Sequence, residues 1–436
     1  MTDATSAAKF RARDMLRDRA TAFRFLAVMG LQTGQVLPQA FIGLMLPVIY
    51  REQGLPLNMW WVFTIPLIPT WLRPLWAPFV DRTGSRAFGM RRSWFIPCTT
   101  MGAFAYMGMT IVEPTIEHLA IVIALWTLKS AIMTTQDIAI DGYMVENIRD
   151  EERPVAAGVL DIARNVGMFV SWVGIAWLYD AYGWTLAMLV ASLLLIACSL
   201  PGILRPEPPR PRQFEHARPS LKNLLARQES YYIYPLCLGV AFAGGIIATM
   251  YPTYLADLGF RAAEVATMVG PATLVGTVIG ASAATWYLSW FGYLKAFLIS
   301  AVMMVLAVIP IIWMGSLDAP SYAIVFAVTL NGIALPSFLT VTFQAARLKW
   351  ASKSQAATDY TSQIVTMAAG GALATSAGGF IAHHLGWFWH FCIGGTATVI
   401  MCVLLYLLYS RVEEMVEARD QRELEADSLA GASGSR

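Results

Sequence analysis

Residues 205–212 read Arg-Pro-Glu-Pro-Pro-Arg-Pro-Arg. Proline occupies half of these positions. Because proline fixes φ and removes the backbone donor, the stretch cannot form a helix and is predicted to be an extended linker. The sequence on each side is apolar, and each side holds about six stretches of the ~20 residues that cross a bilayer as a helix. We therefore predict an all-α membrane protein with twelve transmembrane helices in two six-helix bundles.

The composition of the chain excludes a soluble globular protein. Of 436 residues, 57% are hydrophobic and 14% are charged, whereas about 25% of the residues in soluble proteins are charged. The net charge is +2, and the basic residues are not gathered in one patch, so no nucleic-acid partner is predicted. The five cysteines are an odd number in apolar stretches and favour neither a disulfide framework nor a metal site. Neither a cofactor nor a metal is predicted.

The positions of Lys and Arg predict the orientation of the spans. Of the 31 Lys and Arg residues, 26 lie in the tails and in loops on the N-terminal side, whereas only Arg51 and Arg261 lie on the opposite side. Because cytoplasmic loops are enriched in Lys and Arg, both termini are predicted to be cytoplasmic. The predicted parts are an N-terminal tail (1–24), a first bundle (25–204), the linker (205–230), a second bundle (231–410) and a C-terminal tail (411–436).

The two bundles are predicted to be copies of one unit. The pair Gly183-Trp184 before the sixth span recurs as Gly386-Trp387 before the twelfth. The pair Gly54-Leu55 after the first span is echoed by Gly259-Phe260 after the seventh. Repeats of this kind are typical of two-bundle transporters, which hold the substrate between the repeats near the middle of the membrane.

The loop after the second span contains a family motif. Residues 75–84 read Leu-Trp-Ala-Pro-Phe-Val-Asp-Arg-Thr-Gly, and residues 89–92 read Gly-Met-Arg-Arg. This pattern resembles the Asp-Arg-x-Gly…Arg-Arg loop of the major facilitator superfamily. An Asp at a helix end beside several arginines is a charge latch that holds the halves of a transporter in one orientation; an ordinary positive-inside loop is the alternative. The predicted latch residues are Asp81, Arg82, Arg91, Arg92 and Asp141.

The fourth span carries a second motif. Residues 134–143 read Thr-Thr-Gln-Asp-Ile-Ala-Ile-Asp-Gly-Tyr. Together with the latch loop, this run resembles the AmpG-like branch of the superfamily, which includes muropeptide permeases, acetyl-coenzyme A transporters and ferric-siderophore importers. After Asp141 the chain has Gly-Tyr-Met-Val-Glu, where the muropeptide permeases carry a Trp-Lys-Thr-Asp type of run. The resemblance implies a secondary transporter and not an enzyme.

Charged residues inside the spans are candidates for the functional site, because a charge at mid-bilayer costs several kcal/mol unless it is paired or hydrated. Lys129 and Arg164 each lie about 15 Å from the end of their span at 1.5 Å per residue, so both are predicted to reach mid-membrane on neighbouring helices. They are predicted to bind an anionic group of the substrate, with Gln136 and Trp126 as further substrate-binding candidates. Arg73 lies among prolines and is predicted to extend toward the cytoplasm.

The aspartates inside the spans have alternative roles. Asp137 and Asp141 share a helix face and either pair with the latch arginines or act on the substrate or on protons. Asp161 either forms a self-neutralised pair with Arg164 or carries a proton. The predicted proton-coupling residues are Asp161 and Asp137. In the second bundle, Asp359 is predicted to cap a helix N-terminus.

These residues predict a secondary active transporter of the bacterial inner membrane. It is expected to import a medium-sized anionic solute by proton symport, and the family resemblance implies a ferric siderophore or a muropeptide-like conjugate as that solute. The alternatives within the same fold are an exporter and an acyl-coenzyme A carrier. A membrane-embedded enzyme is the alternative from another class, and the short predicted outer loops disfavour it. The predicted partners are a small-molecule substrate, protons and the lipid bilayer, without an obligate protein partner.

Overall fold

A computed structural model of the chain describes residues 18–85, 88–147, 163–207, 227–317, 319–351 and 356–433. These residues are helical apart from short connections and one isolated bridge between Ser85 and Gly89. The predicted all-α class is confirmed.

Helices α1 to α6 belong to the first half of the chain. Asp18 precedes α1 and accepts a hydrogen bond of 3.1 Å from the backbone N–H of Thr21; this bond to the ionised carboxylate lowers the pKa of Asp18. A 3₁₀ stretch (Leu57–Leu67) leads into α2, and α5 contains a π-helical turn (Val170–Ile175). The helices are α1 (Arg19–Glu52), α2 (Ile68–Arg82), α3 (Arg92–Gly108), α4 (Leu119–Asn147), α5 (163–182) and α6 (Trp184–Leu204).

Helices α7 to α11 belong to the second half. Two of them contain a sharp break at a glycine with positive φ, Gly292 in α8 and Gly386 in α11. The helices are α7 (Ser230–Asp257), α8 (Ala262–Met314), α9 (Tyr322–Ala334), α10 (Ser337–Trp350) and α11 (Ala356–Ser433).

Among the described residues, eight helical segments are long and apolar enough to cross a membrane. The chain is therefore a multi-pass membrane protein. The segments are Arg19–Glu52, Ile116–Met144, Trp184–Leu204, Ser230–Asp257, Ala262–Leu288, Trp290–Met314, Tyr322–Trp350 and Ser362–Arg422.

The other predicted spans differ from this set for local reasons. The predicted second span is divided between a 3₁₀ stretch and α2, and the third coincides with α3, which has 17 residues. The fifth lies partly outside the described residues. The predicted eleventh (356–382) and twelfth (388–410) spans both lie in α11, on either side of Gly386. The count of twelve spans stays a prediction.

The chain forms two compact units. One contains Met1–Gln53 and Ile65–His216, and the other contains Gly54–Thr64 and Ala217–Arg436. Within the second unit, Trp60 is buried, and a Cβ added at Gly379 would lie 2.5 Å from the Trp60 Cβ. This close packing explains why the segment between the first two helices groups with the later part of the chain. The predicted linker boundaries stay a prediction, because residues 208–226 lie outside the described ones.

Helices α1 and α6 pack closely within the first unit. A Cβ added at Gly30 of α1 would lie 2.2 Å from the backbone oxygen of Cys198 in α6, and one added at Gly34 would lie 2.9 Å from the backbone oxygen of Leu195. In contrast, a Cβ added at Gly43, on the same helix, would meet nothing within 4 Å. Small residues therefore let the two backbones approach each other at one point of α1.

The glycines with positive φ occur in pairs along the described chain. The pairs are Gly54 and Gly259, Gly89 and Gly292, and Gly183 and Gly386, with φ between 71° and 110°. The two members of a pair are separated by 205, 203 and 203 residues respectively. Glycine adopts this left-handed conformation without the steric cost that a Cβ brings. The shared turns support the predicted internal repeat.

The start of the predicted linker is fixed to the loop before α3. The Glu207 carboxylate accepts hydrogen bonds of 3.0 Å from the backbone N–H groups of Arg91 and Arg92. These donors lie at the N-terminus of α3, where a negative charge is stabilised by the helix dipole. The Arg205 side chain donates to the Tyr143 hydroxyl at 2.5 Å. Residues 205–207 thus join the ends of α3, α4 and α6.

Replacing Glu207 with Ala is expected to lower the free energy of unfolding by about 0.5–2 kcal/mol, the usual cost of losing a helix cap. The reason is that two N–H groups at the start of α3 lose their carboxylate acceptor. The measurement is thermal unfolding of the detergent-purified protein. The matched control is Glu117→Ala, because Glu117 is exposed in a short 3₁₀ turn. Equal unfolding midpoints for the two variants would show that the cap is not stabilising.

Candidate functional site

A buried lysine lies in the middle of α4, within the first unit. Lys129 has no exposed surface. Its Nζ donates a hydrogen bond to the side-chain oxygen of Gln39 on α1 and lies 5.1 Å from the ring centroid of Tyr106 on α3. Among the residues that the structure describes, no carboxylate forms an ion pair with Lys129. We call Lys129, Gln39, Tyr106 and Trp126 the buried lysine site.

The electrostatics of this site favour an anionic ligand. A buried ammonium group loses its hydration. An amide and an aromatic ring compensate only part of that loss of free energy. The Tyr106 hydroxyl is also buried, without a hydrogen-bond partner among the described residues. Trp126 lies three residues before Lys129, on the same side of α4, and is buried. A carboxylate or phosphate group would compensate the positive charge.

Two aspartates share one arginine at the contact between α2 and α4. The Arg73 guanidinium donates to Asp137 at 2.5 Å and to Asp141 at 2.7 Å. The side chains of Arg73, Asp137 and Asp141 are 18%, 26% and 43% exposed, so none of the three is fully enclosed by the protein. One turn away, the hydroxyls of Thr70 and Thr134 lie 3.3 Å apart. We call Asp137 and Asp141 the carboxylate pair.

Further cations lie beside the carboxylate pair. Arg91 is buried, and its guanidinium carbon would lie 2.3 Å from a Cβ added at Gly142, the residue after Asp141. Arg91 can occupy this position against α4 only because Gly142 has no side chain. Arg164, on α5, is exposed and acts electrostatically on Asp141.

The predicted substrate-binding residues do not form one cluster. Gln136 is fully buried and donates to the Thr99 hydroxyl of α3 at 2.6 Å, which is a contact inside the bundle. Lys129 contacts Gln39, whereas Thr33, six residues earlier on α1, donates to the backbone oxygen of Ala163, beside Arg164. Six residues of α-helix span about 9 Å. The Lys129 ammonium and the Ala163 carbonyl therefore contact α1 at levels about 9 Å apart, and the shared depth of Lys129 and Arg164 stays a prediction.

The latch and coupling residues are only partly described. The Arg92 guanidinium donates to the backbone oxygen of Ile203 at 2.7 Å. The side chains of Asp81 and Arg82, and the whole of Asp161, lie outside the described part of the chain. Asp141 pairs with Arg73, a partner that the sequence pattern does not predict. The sequence does contain a signal for contact between these two spans. On each span a threonine, Thr70 or Thr134, lies three residues before a charged residue, Arg73 or Asp137.

Asp359 lies in the first turn of α11, as predicted, and is buried. It accepts a hydrogen bond of 2.8 Å from the Arg227 guanidinium and so forms an ion pair in addition to its helix-terminal position. A second buried pair, Arg419 with Glu229 at 3.2 Å, lies in the same unit. Residues 411–433 are helical, and Val412 and Val416 pack into the core of the second unit.

Comparison with known proteins identifies relatives of the chain. The anhydromuropeptide permease of Escherichia coli K12 is 30% identical over 222 residues, which are 48% of this chain and 43% of the relative. The chain thus matches less than half the length of that permease. A putative transporter, AmpG 4, of Rickettsia conorii is 20% identical over 323 residues, 70% of this chain and 77% of the relative. These relatives confirm the resemblance to the AmpG-like branch.

Solved structures show the same fold. A bacterial homologue of the human lysosomal transporter Spinster, in an inward-facing and occupied conformation, matches with a TM-score of 0.66 at 14% identity, over 90% of this chain and 97% of that chain. A D-xylose–proton symporter matches with a TM-score of 0.64 at 13% identity, over 89% and 96%. At these identities the likeness is one of fold alone.

A family model gives the family directly. The model of the Major Facilitator Superfamily matches residues 25–330, which is more than half of the chain. The relatives and the fold neighbours are transporters, and the chain is accordingly not an enzyme. On this match, together with the helical membrane architecture, the chain belongs to the Major Facilitator Superfamily.

Proposed function

We propose that the chain imports a medium-sized anionic solute across the bacterial inner membrane by proton symport, on twelve spans with both termini in the cytoplasm. The observation that carries the proposal is Lys129, a fully buried cation whose contacts are the amide of Gln39 and the ring of Tyr106. A buried charge is costly without a counter-charge, so a transient anionic ligand stabilises this arrangement.

The solute that we favour is a muropeptide-like conjugate. The support is the Escherichia coli relative, an anhydromuropeptide permease that is 30% identical over about half of this chain. Such conjugates carry carboxylates, which suit the buried lysine site. Ferric siderophores and acyl-coenzyme A are anionic too, and they serve as competitors in the test below.

The test is uptake into proteoliposomes that contain the purified protein. Labelled anhydromuropeptide is added outside, with and without an imposed pH gradient that is acidic outside. We expect saturable uptake that the gradient increases and that unlabelled anhydromuropeptide inhibits more strongly than a ferric siderophore or an acyl-coenzyme A does. Stronger inhibition by either competitor would assign the solute to that class instead. If none of the three solutes is transported in either direction, the proposal is contradicted.

The carboxylate pair supports proton coupling. Asp137 and Asp141 share Arg73. The three side chains together have one net negative charge when both carboxylates are ionised and no net charge when one carboxylate binds a proton. Both carboxylates are partly exposed and share one charge network with Arg73. We therefore propose Asp137 as the proton-coupling residue among the described ones.

Replacing Asp137 with Asn is expected to preserve exchange of the solute across the membrane and to abolish its accumulation against a gradient. The reason is that the amide neither gains nor loses a proton, while Asp141 still pairs with Arg73. Exchange and gradient-driven accumulation are measured on the same proteoliposomes. Asp180→Asn, at an exposed position, is the control. Accumulation by Asp137→Asn with the wild-type pH dependence would exclude Asp137 as the carrier.

A further inference from the structure

A row of three glutamines lies on α1 beside the buried lysine site. Gln32, Gln35 and Gln39 are spaced by three and four residues and so share one face of the helix. Gln39 accepts from Lys129, and the Gln35 amide nitrogen faces the backbone oxygen of Met133 at 3.5 Å. Lys129 and Met133 are one turn apart on α4. The row therefore follows the face of α4 that carries the lysine.

Two polar groups beside Lys129 are unused in the described structure. Because the nitrogen of Gln35 faces the Met133 carbonyl, its Oε1 points elsewhere, and this buried acceptor has no hydrogen-bond partner among the described residues. The hydroxyl of Tyr106, a fully buried residue, lacks a partner as well. A buried polar group without a partner is destabilising. A ligand that forms hydrogen bonds with both groups and binds Lys129 removes this destabilisation.

We propose that these groups form a subsite for an N-acylated amino acid with a free carboxylate, such as the end of a peptide. The carboxylate binds Lys129, the amide N–H donates to Gln35 Oε1, and the acyl oxygen accepts from the Tyr106 hydroxyl. A plain carboxylic acid or a phosphate ester offers no donor and leaves Gln35 Oε1 unsatisfied. The inference rests on the proposed function and narrows its solute to peptide-bearing anions.

The distances within the helices fit such a ligand. Gln35 and Gln39 are one turn apart, with Cβ atoms about 5–6 Å from each other. In the ligand, the amide N–H and the carboxylate are attached to the same α-carbon. The N–H can therefore reach Gln35 while the carboxylate reaches Lys129, the hydrogen-bond partner of Gln39. Tyr106 approaches the same ammonium from α3, at 5.1 Å from its ring centroid. Three helices of one unit thus contribute one group each.

The experiment compares three probes on the purified full-length protein by isothermal titration calorimetry. The probes are N-acetyl-alanyl-alanine, its analogue methylated at the last amide nitrogen, and its C-terminal carboxamide. We expect the methylated analogue to bind wild type about tenfold more weakly, since a lost hydrogen bond of about 1.4 kcal/mol is a factor of ten. In Gln35→Leu the parent probe is expected to bind about tenfold more weakly, and methylation is expected to have no further effect.

Two further variants complete the test. Tyr106→Phe removes only the hydroxyl. This variant is expected to bind the parent probe more weakly than wild type does and to bind the methylated analogue more weakly still. Gln228→Leu, at an exposed position, is the control and is expected to bind as wild type does. Gln35→Leu removes an amide whose oxygen is unsatisfied and whose nitrogen faces the Met133 carbonyl at 3.5 Å, so this variant is expected to remain folded. If it does not fold, Gln35→Met is titrated in its place.

The outcomes separate this inference from the proposed function. If wild type binds the methylated analogue as tightly as the parent probe, or if Gln35→Leu still discriminates between them, the subsite is wrong. If wild type binds the carboxamide as tightly as the acid, the anion site at Lys129 is wrong, whatever the effect of methylation. If the carboxamide binds tenfold more weakly than the acid but the methylated analogue binds as tightly as the parent probe, the anion site is retained and the subsite is overturned.

Discussion

Lys129→Met is expected to bind the anionic solute about 10- to 100-fold more weakly than wild type. The estimate is the contribution of a charge-assisted hydrogen bond, about 1.5–3 kcal/mol. The ligand-free variant is expected to unfold at the same temperature or a higher one, because methionine removes a buried charge that no described carboxylate pairs with. Affinity and stability therefore change in opposite directions, which a merely structural lysine would not cause.

The measurement is titration of the labelled solute and of its neutral carboxamide into each purified variant. The carboxamide is expected to bind Lys129→Met and wild type with similar affinity. Lys295→Met, which removes the charge of an exposed lysine, is the control for net charge. Unchanged affinity for the acid in Lys129→Met, or an equal loss in Lys295→Met, would contradict an anion site at Lys129.

The largest effect on stability is expected from Gly30→Ala. A Cβ at this position would lie 2.2 Å from the backbone oxygen of Cys198. Because a backbone carbonyl cannot rotate away as a side chain does, α1 and α6 must move apart along their contact. Overpacking of this kind costs about 1–3 kcal/mol, and we expect a corresponding fall in the unfolding midpoint.

Gly43→Ala is the matched control, since it makes the same substitution on the same helix. A Cβ at Gly43 meets nothing within 4 Å, and alanine is the better helix former by about 1 kcal/mol. Gly43→Ala is therefore expected to be neutral or slightly stabilising. Both variants are followed by thermal unfolding in the same detergent. Equal midpoints would show that α1 and α6 are not in close backbone contact at Gly30.

The sequence predicts the broad architecture because it depends on many residues at once. Apolar length and the proline-rich stretch predict a helical, multi-pass protein, and the motifs at 75–92 and 134–143 predict its family. The glycines of the repeated dipeptides, Gly183 and Gly386, also fall at turns with positive φ. Glycine in such a turn has a direct physical requirement, so a short repeat is informative.

The candidate site depends on single contacts, and here the sequence predicts less. The partner of Lys129 is Gln39, an uncharged residue whose contact with Lys129 nothing in the sequence pattern indicates. The shared depth of Lys129 and Arg164 relies on span ends, where an error of one turn is about 5.4 Å, and it stays a prediction. The register is instead set by contacts with Thr33 and Gln39 of α1. Asp161, the other coupling candidate, stays a prediction.

The paired glycine turns also allow the two halves to be compared position by position. Gly89 and Gly183 are 94 residues apart, and so are Gly292 and Gly386. The halves therefore align in this region without a net insertion, and an offset of 203 positions matches Lys129 with Gly332 and Asp137 with Thr340. The two halves thus share these turns, whereas the second-half positions that match Lys129 and Asp137 are uncharged. Backbone geometry is repeated between the halves, and the charges at these two positions are not.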